Sequence, residues 1–266
     1  VGWPADYHLH TYLCRHATGA PADLAAAAVR LGLTEIGFAD HAPMPRDDWD
    51  DWRMSRSELV SYVDQVQQAR QAFPQLTIRL GLEVDYLPGL EGWIRDLASL
   101  PVWDYLIGSV HYVFQDWNFD HPDARAEWQR RDPWEIWTDY FHRLTQAAAS
   151  GLFDIIAHAD LCKKFRFYPS QDWTSLALQF LEAAKANGVA LELNTAGLRK
   201  ECQEIYPGPK LLAMAQQLGL PITFGSDAHS PEELGAGFDQ ALAQARAVGY
   251  RHWCRFTGRQ HQLVPL

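Results

Sequence analysis

Cysteine is scarce in this sequence. Cys14, Cys162, Cys202 and Cys254 are scattered over 266 residues, and no two form a C-x-x-C pair. That excludes a disulfide framework and points to a reducing compartment, with the cytoplasm as the expected location. Long apolar runs are also missing. Nothing approaches the roughly 18 consecutive apolar residues of a membrane span, although apolar types make up 47% of the chain, enough for a full core. Positive charge is the third shortage: 23 Lys and Arg stand against 33 Asp and Glu, a formal charge of −10. This weighs against nucleic acid as a partner while leaving room for a local basic pocket. No low-complexity linker divides the chain, so one domain over 1–266 is expected, a length at which single α/β barrels are common.

What the sequence does contain is a repeated plan: a helical stretch, a glycine, then a short apolar run. It occurs in "AAAAVRLGLTEIGFAD", "LTQAAASGLFDIIAHAD", "FLEAAKANGVALELNT", "LLAMAQQLGLPITFGSD" and "ALAQARAVGYRHWCRF". Gly32, Gly151, Gly188, Gly219 and Gly249 fall where a helix end needs a left-handed backbone. The runs after them are too short for helices and too continuously apolar for one-sided strands, so parallel strands buried on both faces fit best. "ADYHLHT", "TIRLGLEVDY" and "WDYLIGSVHYV" add three more. Seven or eight such units imply an α/β fold and suggest a barrel. Phe114 to Tyr140 breaks the plan. It reads as a long loop entering a helix near Pro133, either a lid or a packed excursion held by tryptophans.

Each predicted strand ends in imidazole or carboxylate. "DYHLHTYLCRH" puts His8 and His10 on one strand face, because side chains alternate, and His16 in the loop beyond. "EIGFADH" ends with Asp40 and His41, "LGLEVDY" carries Glu83, and "IGSVHY" carries His111. "DIIAHAD" carries His158 and Asp160, "LELNT" Glu192 and Asn194, and "ITFGSDAH" Asp227 and His229. In a barrel these ends converge on the face where active sites lie. Burying so many ionisable groups side by side is costly unless cations compensate. Mixed nitrogen and oxygen donors suit Zn, Mn, Fe or Ni better than Ca or Mg, and their number exceeds the four of one tetrahedral ion. Cys14 reads as an ordinary thiol inside the cluster, and Asp40 as a residue that orients a histidine. His121, His142, His252 and His261 read as surface or packing residues.

Taken in order, "HLHT" with His16, "DH" at Asp40–His41, "GLEVD", "GSVHY", "AHAD" and "GSDAH" resemble the PHP (polymerase and histidinol phosphatase) superfamily over positions 6 to about 230. The resemblance implies a distorted (β/α)7 TIM-like barrel around a trinuclear metal centre that hydrolyses phosphoesters. It implies His8, His10, His16, His41, Glu83, His111, His158, Asp227 and His229 as metal ligands, with Glu83 bridging. The long segment after "GSVHY" containing "WNFD", then "GLFDIIAHADLCKKF" and "LELNTAGLRK", look most like the histidinol-phosphate phosphatases of the HisK/HisJ type. Cys162 departs from that family, which usually has a hydrophobic residue there, and is expected to alter the pocket wall.

Hydrolysis of a phosphate monoester needs a nucleophile and neutralised charge. Two ions about 3.5–4 Å apart can share a water and bring its pKa toward about 7, so a metal-bridging hydroxide is the expected nucleophile. Arg166 and Arg199 are expected to clamp the phosphate, with Lys163 and Asn194 near the substrate. Lys164 and Lys200 read as solvated. Asp227, His229 or a metal-bound water would protonate the leaving alkoxide. An amine- and imidazole-bearing leaving group would draw on Asp85, Glu192, Asn194, Asp116, Trp117 or Tyr112. The leading expectation is therefore hydrolysis of L-histidinol phosphate to L-histidinol and phosphate in histidine synthesis. The enzyme would be a monomer or homodimer holding two to three divalent ions (Zn, Mn or Fe). Another small phosphomonoester or a phosphodiester is the alternative. A catalytically silent metal-binding module is disfavoured, since every motif position is filled.

Overall fold

Runs without a polar face must be covered on both sides, and here they pair with one another in parallel. A computed structural model describes residues 2–266. Seven strands form one sheet: β1 (Asp6–Leu9), β2 (Glu35–His41), β3 (Thr77–Asp85), β4 (Tyr105–Ser109), then, beyond a small hairpin of β5 (Tyr112–Val113) and β6 (Trp117–Asn118), β7 (Ile155–Ile156), β8 (Ala190–Asn194) and β9 (Ile222–Gly225). The sheet order is β1-β2-β3-β4-β7-β8-β9 and every pairing in it is parallel. Its edges meet where Leu9 bridges Ala228, with His10 N–H donating to Ala228 O at 3.0 Å and Ala228 N–H to His8 O at 3.2 Å. The result is the expected TIM-like (β/α)7 barrel, nearly closed.

Eight helices, α1 (Pro21–Leu31), α2 (Leu59–Ala72), α3 (Glu91–Ala98), α4 (Arg125–Trp128), α5 (Pro133–Ala149), α6 (Thr174–Ala186), α7 (Pro209–Leu218) and α8 (Phe238–Val248), lie between the strands. Their ends are written locally. Proline starts α1, α5 and α7, where no N–H is missed. The five glycines expected at helix ends all take positive φ, between 67° and 108°. Among the described residues no helix is long and apolar enough to cross a membrane.

One expectation needs correction. "YRHWCRF" is not a barrel strand. It forms β10 (His252–Thr257), paired antiparallel with β11 (Gln260–Pro265). Gly258 and Arg259, both at positive φ, make the two-residue turn between them. The barrel has already closed on β1, so this hairpin lies across the N-terminal strand ends: Arg255 pairs with Glu35, Arg259 with Asp154, and Gly258 N–H donates to Asp104 at 3.1 Å. The segment after β4 follows the second of its two expected readings. Trp128 stacks on Phe167 with centroids 5.4 Å apart and donates its indole N–H to Phe119 O at 2.6 Å. It is a packed excursion, and Asn118, Asp120, His121 and Pro122 from it border the cleft above the barrel. The helix near Pro133 is present, as α5.

Inside the barrel Tyr105 fills space that Gly37 and Gly81 leave open. Its hydroxyl donates to Tyr7 O at 2.7 Å and Phe38 O at 3.1 Å. A Cβ at Gly81 would fall 2.5 Å from the Tyr105 ring and 2.8 Å from its carbonyl oxygen. Gly81→Ala is expected to destabilise the fold by about 1–3 kcal/mol, read as a lowered denaturation midpoint with unchanged m-value. No loss of stability would show that the barrel interior can yield.

Candidate metal centre

Glu83, near the end of β3, is 1% exposed and surrounded by imidazole. Its Oε2 lies 2.9 Å from His41 Nδ1, 3.2 Å from His8 Nε2 and 3.5 Å from His10 Nε2. Its Oε1 lies 2.9 Å from His158 Nε2 and 3.5 Å from His111 Nε2. Asp227, just beyond β9 at φ 53°, adds a second carboxylate 3.1 Å from His10 Nε2. Strands from around the barrel, and the turns just beyond them, thus bring carboxylate and imidazole to the same point.

A ring of outward contacts fixes the histidines. His8 Nδ1 meets Glu192 Oε1 at 2.6 Å, His111 Nδ1 meets Asp85 Oδ1 at 2.8 Å, and His10 Nδ1 lies 3.4 Å from Asp40 Oδ1. His16 and His229 turn Nδ1 to backbone carbonyls, Cys14 O at 2.8 Å and Asp227 O at 3.0 Å. Each such contact selects a tautomer and leaves Nε2 pointing inward. Arg53 extends one arm of the ring. It donates to Asp85 at 3.0 Å and stacks 4.0 Å over Trp52, whose ring meets His41 edge-on at 4.6 Å.

The inward atoms fit a cation. His8 Nε2, His10 Nε2, His41 Nδ1 and Glu83 Oε2 are buried without any hydrogen bond, which is costly unless something else binds them. Their neighbours group into donor sets whose atoms lie within 4.8 Å of one another: His8, His10 and Asp227; Glu83, His111 and His158; and His10, His41 and His229. Cys14 and His16 form a further set with His229. Cys14 is therefore closer to the donors than an ordinary core thiol, and hydrogen bonds from His10 and His16 outweigh burial and lower its pKa. His16 is exposed, while Asp227 and His229 are half-buried, so this side of the cluster opens to solvent.

Protons balance charge in this cluster. Burial would raise Glu83, yet His41, His8 and His111 hold it well below the usual carboxylate range. Burial disfavours a charged His8, but Glu192, Asp227 and Glu83 override it and keep its pKa well above the ordinary value. His10 is held high against burial by Asp227 and Asp40. Burial likewise opposes a charged His111, but Asp85 and Glu83 raise it to about 9. His229 goes the other way: burial and the charge on His10 push it down to about 3.

Above the cluster opens a cleft of about 560 Å³. Arg199 stands on its wall, donating to Ser226 O at 2.9 Å and Asp227 O at 3.1 Å. Arg166 does not join it. Its backbone turns at φ 64° and the exposed side chain lies outside the cleft lining. Lys163 is also elsewhere, buried with Nζ on Glu204, Asp160 and Ile205 O at 3.0, 3.2 and 2.9 Å. Lys164 and Lys200, expected in solvent, line the cleft instead, together with Arg15. Asn194 does not line the cleft either. It is buried and donates to Glu192 at 3.0 Å and Asp227 at 3.2 Å, so it braces the cluster.

Among the leaving-group candidates, Asp85 and Glu192 are taken by histidines, and Tyr112 donates to Asp50 at 2.6 Å. Asp116 and Trp117 lie outside the lining, whereas His121 is part of it. Cys162 is buried away from the cleft wall, where Leu161 stands instead. Asp120, the last residue of "WNFD", also borders the cleft, as do Trp52 and Glu233, which had no sequence signal of their own.

Residues 6–196 match the family model described as PHP domain, and residues 210–239 match one described as PHP-associated. A probable histidinol-phosphatase of Deinococcus radiodurans is 45% identical over 263 residues, covering 98% of each chain. The putative histidinol phosphatase HisK of Listeria monocytogenes has a solved structure that superposes with a TM-score of 0.79 at 25% identity, covering 89% of this chain and 99% of that one. The histidinol phosphate phosphatase of Lactococcus lactis, solved with zinc, L-histidinol and phosphate, superposes with a TM-score of 0.80 at 21% identity and shares the fold, covering 97% of this chain and 98% of that one.

A metal must displace the protons on His8, His10 and His111, so loading at pH 7 should release protons, and affinity should climb with pH toward about 9 and fall in acid. Calorimetric titrations in buffers of different ionisation enthalpy read this directly; buffer-independent heats would contradict it. Glu192→Gln, which loosens His8, should weaken metal binding about 10–100-fold, measured by competition with a chromophoric chelator. Unchanged affinity would remove Glu192 from that role.

Proposed function

The chain belongs to the PHP domain family, and we propose that it is a metal-dependent histidinol-phosphatase, acting as one domain over 1–266 and releasing L-histidinol and phosphate from L-histidinol phosphate. The reaction class rests on one observation: buried donors without partners converge beneath a cleft bordered by cations. The substrate rests on the likeness, over nearly the whole chain, to the Deinococcus radiodurans relative.

His8, His10 and Asp227 would hold one ion, Glu83, His111 and His158 a second, and His41, His16 and His229 a third, with Glu83 central enough to bridge. Zinc, manganese or iron suits these donors. Bound ions supply a nucleophilic water and positive charge opposite the phosphate oxygens. The protein's own part is positional. Glu192, Asp40 and Asp85 fix the imidazoles. Arg199 takes the phosphate from the cleft wall, where its planar fork matches two oxygens. Lys164 also borders the cleft, with a single charge. Asp227 and His229 border the open side of the cluster; with His229 pushed down to about 3 and Asp227 held low by His8 and His10, a water at that edge would protonate the departing alkoxide. Ser109 and Ser226 are buried and are not nucleophiles; Ser226 donates to Asp6.

Steady-state rates on L-histidinol phosphate, beside sugar phosphates and a dinucleotide, should give at least tenfold higher kcat/KM for the first. A preference under tenfold, about 1.4 kcal/mol, would end the specific assignment. Arg199→Ala should lower kcat/KM by about 10²–10³-fold with metal content intact. Loss of metal in that variant would show that Arg199 supports the cluster rather than the phosphate.

A further inference from the structure

We infer that Asp120 recognises the substrate's ammonium group, and that its ion pair with Lys164 opens on binding so that Lys164 turns to the phosphate, an inference that rests on the reading of L-histidinol phosphate as substrate. Five acids border the cleft: Asp51, Glu83, Asp120, Asp227 and Glu233. Glu83 and Asp227 belong to the donor sets. Glu233 is engaged twice, 3.3 Å from Arg199 Nε and accepting the His229 N–H at 2.9 Å. Asp51 is exposed to solvent. Asp120 differs from all four. Its Oδ2 accepts from Lys164 Nζ at 2.9 Å, the same ammonium reaches Asp120 O at 2.6 Å, and the two side chains are only 16% and 15% exposed.

The position suits the substrate. Asp120 lines the same cleft as His111 and His158. Its backbone is pinned beside the cluster, because Phe119 N–H donates to His111 O at 3.2 Å and Trp128 holds Phe119 O. In histidinol phosphate the ammonium-bearing carbon adjoins the ester CH2, so its partner must stand close to the reacting phosphate. A sheltered ion pair adds little net stability, since desolvation offsets attraction. Facing ligand space, the pair instead offers one site for each charge of a zwitterion. The phosphate takes Lys164, the ammonium takes Asp120, and neither is left unpaired. A phosphoester without the amine would draw Lys164 away and leave Asp120 alone.

The metal-loaded protein and its Asp120→Asn variant separate this from a structural role. L-Histidinol and inorganic phosphate serve as separate inhibitors. The variant should bind L-histidinol at least tenfold more weakly and phosphate no more weakly. Its preference for L-histidinol phosphate over the deaminated ester, 3-(imidazol-4-yl)propyl phosphate, should fall at least tenfold. Equal weakening of both inhibitors, or undiminished L-histidinol binding, would overturn the assignment. Should Asp120→Asn not fold, Lys164→Met should weaken phosphate at least tenfold and L-histidinol not at all; the reverse pattern would overturn it as well. A wild-type protein that does not distinguish the two esters would instead remove the substrate reading itself.

Discussion

A carboxylate sealed from water must find compensating partners in the protein around it, and Glu83 finds five imidazoles within 3.5 Å. The effective cost of burying one ion is several kcal/mol, so Glu83 could not sit at the centre of a barrel mouth among apolar neighbours. With His8, His10, His41, His111 and His158 around it, the charge is shared by protons or by metal. Each histidine can serve only if its ring is turned correctly, which is why Glu192, Asp85 and Asp40 stand behind them. Those carboxylates are buried in turn and need their own partners: Asn194 for Glu192, Arg53 for Asp85, Thr11 for Asp40. The polar interior is thus built outward from one side chain, and the atoms that meet its centre are left for a cation.

The barrel separates this expensive face from an inexpensive one. At the N-terminal strand ends the charges are closed into ion pairs beneath the β10–β11 hairpin: Glu35 with Arg79 and Arg255, Asp104 with Arg70, Asp154 with Arg259. These are finished contacts with no atom turned toward a ligand. At the opposite end the donors lack hydrogen bonds and the backbone bends into unusual conformations at His158, Asp160 and Asp227. Positive φ at such residues commonly costs about 1–3 kcal/mol. It is tolerable here because parallel pairing below and helices outside hold the turns. Here β7 pairs over only two residues, since His158 must leave the sheet to face Glu83.

That division also explains what could be read from residues alone. The convergence of donors on one face was legible because the strand restricts spacing and ligation would restrict residue type: "HLH", "LEVD" and "SDAH" leave few other uses for their side chains. Helix ends were legible because glycine at a left-handed position is a local signal. The loops beyond the strands were not. Arg166 and Lys164 lie two residues apart in one basic stretch, and composition cannot say which reaches the cleft. The answer comes from a turn at φ 64° that carries Arg166 outward and from Asp120, 44 positions earlier, which draws Lys164 in. Asp120 closes "WNFD", but that likeness does not say where its carboxylate lies until the tryptophan packing of its segment is known. The C-terminal hairpin is hidden for a similar reason. Its apolar run matches the other strands, and only closure of the sheet between Leu9 and Ala228 leaves it no place in the barrel.

The overall charge of −10 conflicts with a dianionic substrate only if charge is averaged over the molecule. At physiological salt, exposed charges beyond about 8 Å are largely screened, so the acidic exterior barely opposes approach. Inside the cleft Arg15, Lys164, Arg199 and Lys200 stand around the candidate metal donors. The field that a phosphate meets is set there. It is also short in range, so it holds the phosphate strongly only near the cluster, and a product that leaves it re-enters an environment of the same sign as itself. A metal held by the cluster would then add to affinity as well as supply the nucleophile, because three of the cleft's own cations are partly committed: Arg15 to Glu58, Arg199 to Glu233 and two carbonyls, Lys164 to Asp120.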